Sequence, residues 1–195
     1  TDPSYAGQGV VMSYPLIGNY GVNHEDNESR RPWVEALVVR HLSPQGSNFR
    51  CEDTLDSYLK QYDITGIQGV DTRALTKILR SQGSMNGMLT CAEHFNVAEV
   101  MERLRSYEVK DTIRRVTRTE PEVFDAYGEE THLVAVMDYG VKQNIIECLR
   151  RRGCRVTVLP AFTPAKEVLS GGYDGVMLSN GPGDPAENTE IIAQD

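Results

Sequence analysis

The most regular pattern of hydrophobic and polar positions lies in the last third of the chain. Residues 133–137 (Leu-Val-Ala-Val-Met) form an unbroken apolar run, which is typical of a strand buried on both faces of a parallel sheet. Further strand patterns at 155–159 and 175–179 alternate with helical patterns at 141–152 and 164–169. This order of strand, helix, strand, helix and strand predicts the start of an open, doubly wound parallel sheet.

Strand and helix patterns are mixed in the first half of the chain. Strands are predicted at 9–14, 34–40 and 85–91, and helices at 54–59, 72–82 and 97–107. The clearest helix begins after Asp71, which can cap its first turn, and ends before Gly83. Leu75, Ile78 and Leu79 repeat there at the spacing of one helix face. We therefore predict an α/β fold throughout.

A charged segment separates these two halves. Residues 108–130 include Pro121 and Gly128 and show no sustained periodicity, so they are the best candidate for a domain boundary. We predict an amino-terminal domain at 1–112, a linker at 113–131, and a second domain at 132–195.

The composition of the chain excludes several classes of function. The chain has 20 Lys and Arg against 28 Asp and Glu, a net charge of −8, so we expect no nucleic-acid partner and no anionic membrane surface. No apolar run approaches the roughly 18 residues of a membrane span, and Thr1-Asp2-Pro3-Ser4 does not resemble a signal peptide. The four scattered cysteines indicate reduced thiols in a cytoplasmic protein, and no metal site is expected.

One loop carries candidate chemistry. The third predicted strand leads into residues 179–185, Ser-Asn-Gly-Pro-Gly-Asp-Pro. Glycine allows close backbone approach, and Pro182 stiffens the loop. Free N–H groups on a rigid loop can hold a carboxylate or an oxyanion. A tight strand-to-helix turn without a ligand explains the same residues, and a Walker A loop is excluded because no Gly-Lys-Ser/Thr follows.

Residues 178–185 (LSNGPGDP) resemble the signature of the small chain of glutamine-hydrolysing carbamoyl phosphate synthetase, which carries a class I glutamine amidotransferase domain. Three other segments resemble motifs of the same family: residues 1–5 (TDPSY), 69–76 (GVDTRALT) and 138–145 (DYGVKQNI). The resemblance implies a swivelling β/β/α amino-terminal domain, followed by the first part of a doubly wound amidotransferase domain.

The resemblance also implies a binding site for L-glutamine. Ser4 matches the serine whose hydroxyl contacts glutamine, and Gly181 and Gly183 match glycines whose backbone contacts the same ligand. The pocket would then combine residues from both predicted domains. Without the family, a serine after a proline is more simply interpreted as a turn or cap residue.

The implied activity is glutamine hydrolysis, with ammonia passed to a large synthetase chain that makes carbamoyl phosphate for pyrimidine and arginine synthesis. ATP and Mg²⁺ are expected on that large chain, and no cofactor is expected here. The family's nucleophile sits in a Gly-x-Cys-x-Gly elbow, a context that none of Cys51, Cys91, Cys148 and Cys154 has. We therefore expect no catalytic residue in this piece of the subunit, and no activity from it alone.

Two interpretations stay open at this stage. A non-catalytic binding or docking module of the same fold would carry the same motifs, and the presence of the elbow and a His-x-Glu further along the gene would discriminate the two. Residues 71–73 (Asp-Thr-Arg) could contact a partner chain, although helix capping explains Asp71 as well. For residues 138–142, packing and helix entry are favoured over catalysis.

Overall fold

The computed structural model describes residues 1–193. It divides into two compact units, each built from separate stretches of the chain. One unit, here called the small-sheet unit, comprises Gly7–Asp26 and Val34–Val109. The other, the large-sheet unit, comprises Thr1–Ala6, Asn27–Trp33 and the chain from Lys110 onward. These units do not follow the predicted ranges 1–112 and 132–195.

The small-sheet unit contains two small parallel sheets. One has three strands in the order β1 (Gly9–Val11), β3 (Ala36–Val38) and β5 (Thr65–Ile67), and the other pairs β2 (Leu16–Ile17) with β4 (His41–Leu42). Its helices are α1 (Leu55–Gln61), α2 (Thr72–Gln82) and α3 (Val97–Ser106). The α2 prediction is confirmed, because the Asp71 carboxylate accepts a hydrogen bond from Ala74 N at 3.0 Å and Gly83 follows with a φ of 85°.

The predicted strand at 85–91 is wrong, because this segment has no regular secondary structure. This segment has no neighbouring strand to pair with in the described part of the chain, and most of its residues are exposed. The Asn86 side chain instead donates hydrogen bonds to the carbonyls of Leu104 and Tyr107, both at 2.8 Å. A single strand without a partner is not stable in water, so the backbone groups of this segment are hydrated instead.

The large-sheet unit confirms the predicted doubly wound sheet. Its strands are β6 (Glu122–Phe124), β7 (His132–Asp138), β8 (Cys154–Pro160) and β9 (Gly175–Leu178), and its helices are α4 (Thr112–Val116), α5 (Gln143–Arg150), α6 (Ala165–Ser170) and α7 (Thr189–Ile192). The strand order is β6-β8-β7-β9, with β7, β8 and β9 parallel and β6 antiparallel to β8. The predicted linker at 113–131 therefore contains β6 and most of α4.

Strand β7 is buried on both faces, as its unbroken apolar sequence predicts. Ala135 and Met137 pack in one hydrophobic cluster with Leu159 of β8. Val136 points into a second cluster, with Ile146 of α5. Ala135, Val136 and Ile146 are fully buried, so the core of this unit lies on both sides of β7.

Within residues 1–193, none of the helices combines the length and the hydrophobicity that crossing a membrane requires.

Candidate functional site

The glycine-rich loop lies at the carboxyl ends of two neighbouring strands. Strand β9 ends at Leu178, which is in register with Met137 of the parallel strand β7. The turn after β7 is tied to the start of the loop, because Tyr139 N donates a hydrogen bond to Ser179 Oγ at 3.0 Å. This edge is where open α/β sheets bind their ligands.

At both loop glycines, other atoms of the chain lie too close to leave room for a side chain. A Cβ on Gly181 would lie 2.3 Å from the Tyr139 carbonyl oxygen, and one on Gly183 would lie 2.8 Å from Thr112 Oγ1. Gly183 also has a φ of 80°, which residues other than glycine rarely adopt. Packing alone therefore explains the two glycines. Both are exposed to solution, and their contact with a ligand stays a prediction.

Ser4 lies beside this loop, in the same compact unit. The Asn180 side chain donates from Nδ2 to Ser4 Oγ at 3.0 Å, across 176 positions of sequence. The same Nδ2 lies 3.4 Å from the Gly140 carbonyl oxygen, which accepts a second hydrogen bond. One amide thus joins the three segments 1–5, 138–145 and 178–185. Asn180 is part of the motif at residues 178–185, but the motif alone did not predict this role.

A charged pair fixes the other side of Ser4. Lys142 Nζ lies 2.6 Å from Asp2 Oδ2, and Ser4 N donates to Asp2 Oδ1 at 2.9 Å. Burial opposes ionisation of Asp2, but the hydrogen bonds from Lys142 and Ser4 outweigh it and hold the pKa of Asp2 below its ordinary value. The hydrogen bond to Asp2 raises the pKa of Lys142. Both shifts favour the charged pair, so the segment bearing Ser4 is tied to the turn after β7.

This pair predicts a measurable response to acid. A carboxylate with a lowered pKa contributes stability that is present above its unfolded value and is lost as the pH falls through the folded value. We expect the Asp2 carboxyl to titrate below 3.8, its ordinary value, in a ¹³C NMR titration of the chain. Lys142→Met should raise that midpoint, and Lys166→Met, at an exposed position of α6, should not. An unchanged Asp2 midpoint in Lys142→Met would contradict the assignment.

The turn after β7 is built on a buried carboxylate. Asp138 is only 3% exposed, and its Oδ1 accepts from Gly140 N at 3.1 Å and Val141 N at 3.0 Å. Its Oδ2 accepts from Arg118 N at 2.9 Å and Arg118 Nη1 at 3.1 Å. Asp138 therefore shapes the turn that presents the Gly140 carbonyl to Asn180, which agrees with the predicted role of this segment in helix entry.

The cysteines of this unit lie elsewhere. Cys148 is in the middle of α5, and Cys154 begins β8, at the opposite end of the sheet from the loop. In the described residues, the loop edge thus holds hydroxyl, amide and backbone groups, together with the Asp2–Lys142 pair. Such groups can orient a polar ligand but do not supply a nucleophilic thiol.

Two protein families match separate segments of this chain. Residues 1–89 match the family "Carbamoyl-phosphate synthase small chain, CPSase domain", and residues 135–194 match "Glutamine amidotransferase class-I". The carbamoyl phosphate synthase small chain of Clostridium perfringens is 46% identical over 192 residues, which are 98% of this chain and 54% of that protein. The small chain of a Listeria monocytogenes strain is 46% identical over 98% of this chain and 52% of its own length.

A third relative, the carbamoyl phosphate synthase pyrimidine-specific small chain of Halalkalibacterium halodurans, is 43% identical over 98% of this chain and 52% of its own length. The chain thus spans about half the length of the curated relatives it matches. Its two matched segments fall in the same order as the predicted domains. The chain belongs to the family of carbamoyl phosphate synthase small chains, and residues 135–194 belong to its class I glutamine amidotransferase part.

Proposed function

We propose that this chain supplies part of the L-glutamine pocket of a carbamoyl phosphate synthase small chain, with Ser4, Gly181 and Gly183 contacting the ligand. The observation that carries the proposal is the Asn180 amide, which lies 3.0 Å from Ser4 Oγ and is part of the loop that holds both glycines. Residues from the two ends of the sequence are thereby held at one exposed edge of the sheet.

The chemistry of that edge suits an amino-acid ligand. Backbone N–H groups of an exposed, rigid loop can donate to a carboxylate or a carbonyl oxygen without reorganising. The Ser4 hydroxyl accepts a hydrogen bond from Asn180, and the Ser4 backbone N–H donates to Asp2, so the position of the hydroxyl is fixed before a ligand arrives. A preorganised hydroxyl loses little entropy on binding and therefore contributes more to affinity.

In the complete subunit, we propose that glutamine is hydrolysed and that ammonia passes to a large synthetase chain. That chain would use ATP and Mg²⁺ to make carbamoyl phosphate in the cytoplasm, for pyrimidine and arginine synthesis. Class I hydrolysis needs a cysteine nucleophile activated by a base, and no cysteine of this sequence lies in a Gly-x-Cys-x-Gly context. The chain by itself is therefore expected to release no ammonia from glutamine, and it serves as the negative control in assays.

The test is Ser4→Ala in the complete two-chain enzyme. Loss of one neutral hydrogen bond should weaken glutamine use by roughly 0.5–1.5 kcal/mol, or about twofold to tenfold in kcat/KM. Synthesis driven by ammonium salt should be unchanged, because free ammonia does not need the glutamine pocket. Ser170→Ala, at an exposed position of α6, is the matched control and should behave like the wild type with both nitrogen sources.

The outcome separates the proposal from its alternative. Equal losses with glutamine and with ammonium would mean that Ser4 supports folding or subunit contact, and the proposed pocket would be wrong. A complete subunit that binds its partner but never hydrolyses glutamine would be a non-catalytic docking module.

A further inference from the structure

Three cations line a depression on the surface of the small-sheet unit. Arg73, Lys77 and Arg80 of α2 surround a cavity of about 310 Å³, together with Thr76 and with Ser13 from the segment after β1. All three cationic side chains belong to exposed residues. We call this cluster of Arg73, Lys77 and Arg80 the basic face.

The folding of α2 does not account for the basic face. Arg73 and Lys77 are four residues apart, a spacing at which like charges on a helix repel each other and destabilise it. Arg73 also lies in the first turn of α2, where the positive end of the helix dipole disfavours a cation. Only Arg80, in the last turn, is favoured by the dipole. Arg73 and Lys77 therefore need an explanation outside the helix.

No carboxylate of the described residues forms an ion pair with these three cations. Asp71, the acidic residue nearest in sequence, caps α2 through Ala74 N and lies 3.9 Å from Arg40 instead. The whole chain carries a net charge of −8. The basic face is therefore a positively charged patch on a molecule whose overall charge is negative. An acidic partner would be repelled by most of this chain and attracted to the basic face.

The surroundings of the basic face favour a protein over a free anion. Tyr14, next to Ser13, is 68% exposed, and Ile78, next to Lys77, is also exposed. Arginine and tyrosine are the residue types enriched in the energetically important parts of protein interfaces. Arginine also binds carboxylates with two parallel hydrogen bonds. Three cations over about 10 Å of helix are far fewer than a nucleic-acid interface requires.

We infer that the basic face docks a carboxylate-bearing surface of a partner protein. Under the proposed function, on which this inference rests, that partner is the large synthetase chain. The helix would then have a role in subunit recognition that is separate from the glutamine pocket. Charge pairs at the rim of an interface act mainly on the association rate and on its dependence on salt, and these quantities provide the test.

The experiment measures association of the complete small chain with the large chain by surface plasmon resonance, at low and at physiological salt. Arg73→Glu/Arg80→Glu should slow association about tenfold at low salt and flatten its salt dependence. The matched control is Arg103→Glu/Arg105→Glu in the last turn of α3, which makes the same change of charge in the same unit. Circular dichroism would verify that both variants are folded, and Lys77→Glu provides a second variant with a smaller change.

Slower association of the α2 variants alone would support the inference. Equal effects of the α2 and α3 variants, or no effect of either, would overturn it while leaving the proposed function intact. If the wild-type small chain failed to bind the large chain, the proposed function and the inference would both be overturned. Saturable binding of inorganic phosphate to the basic face in an NMR titration, with unchanged subunit association, would also overturn it and indicate an anion site.

Discussion

Under the proposed function, replacing Gly181 by alanine should lower the glutamine-dependent kcat/KM of the complete enzyme by roughly fivefold to a hundredfold, equivalent to about 1–3 kcal/mol. The new Cβ would lie 2.3 Å from the carbonyl oxygen of Tyr139. That atom belongs to the backbone of the turn after β7, so it cannot rotate away as a side chain can. The loop would have to move, and with it Asn180 and its hydrogen bond to Ser4.

Assays with glutamine and with ammonium salt distinguish a defect in the glutamine pocket from a general loss of activity. Synthesis from ammonium salt should be spared in Gly181→Ala, since that route bypasses glutamine. Gly175→Ala is the matched control, because a Cβ there meets no atom within 4 Å. Gly183→Ala, at a φ of 80°, should also lower glutamine use more than Ser4→Ala does. Wild-type glutamine use in Gly181→Ala would contradict the geometry of the loop, and a parallel fall with ammonium would indicate a folding defect.

Asp138→Ala should destabilise the large-sheet unit by roughly 3–5 kcal/mol, the usual result of removing one partner of a buried ion pair. The carboxylate accepts four hydrogen bonds, two from the turn at Gly140 and Val141 and two from Arg118. Without it, the backbone donors lose their acceptor, and among the described residues Arg118 keeps only Glu122, at 2.7 Å, as an acidic partner. The turn that presents the Gly140 carbonyl to Asn180 would lose its anchor.

Urea unfolding of this chain can be followed selectively in that unit. Trp33 is the only tryptophan, belongs to the large-sheet unit and is 7% exposed, so its fluorescence reports on the unit that contains Asp138. Asp125→Ala is the matched control, because Asp125 is an exposed aspartate in the same unit whose side chain is 85% accessible. Its substitution should change the free energy of unfolding by no more than about 0.5 kcal/mol. A change below about 1 kcal/mol in Asp138→Ala would show that the turn does not depend on this carboxylate.

Local signals predicted the regular elements well. The apolar run of β7 indicated burial on both faces, and Asp71 and Gly83 marked the ends of α2, because these features act over a few neighbouring residues. The predicted strand at 85–91 failed because a strand also needs a partner, which its own sequence cannot show. The short elements β6 and α4 were missed for the related reason that three to five residues carry too little periodicity.

The sequence by itself determined the family motifs, the loop at residues 179–185 and the need for glycine at a stiff corner, since these depend on residue type and order. Only the tertiary structure decided that residues 1–6 and 27–33 join the unit that contains β7. It also decided that Asn180 reaches both Ser4 and Gly140, and that Lys142 pairs with Asp2. Hydrogen bonds and ion pairs depend on distance and angle in space, and folding alone brings together groups that lie up to 176 positions apart in the chain.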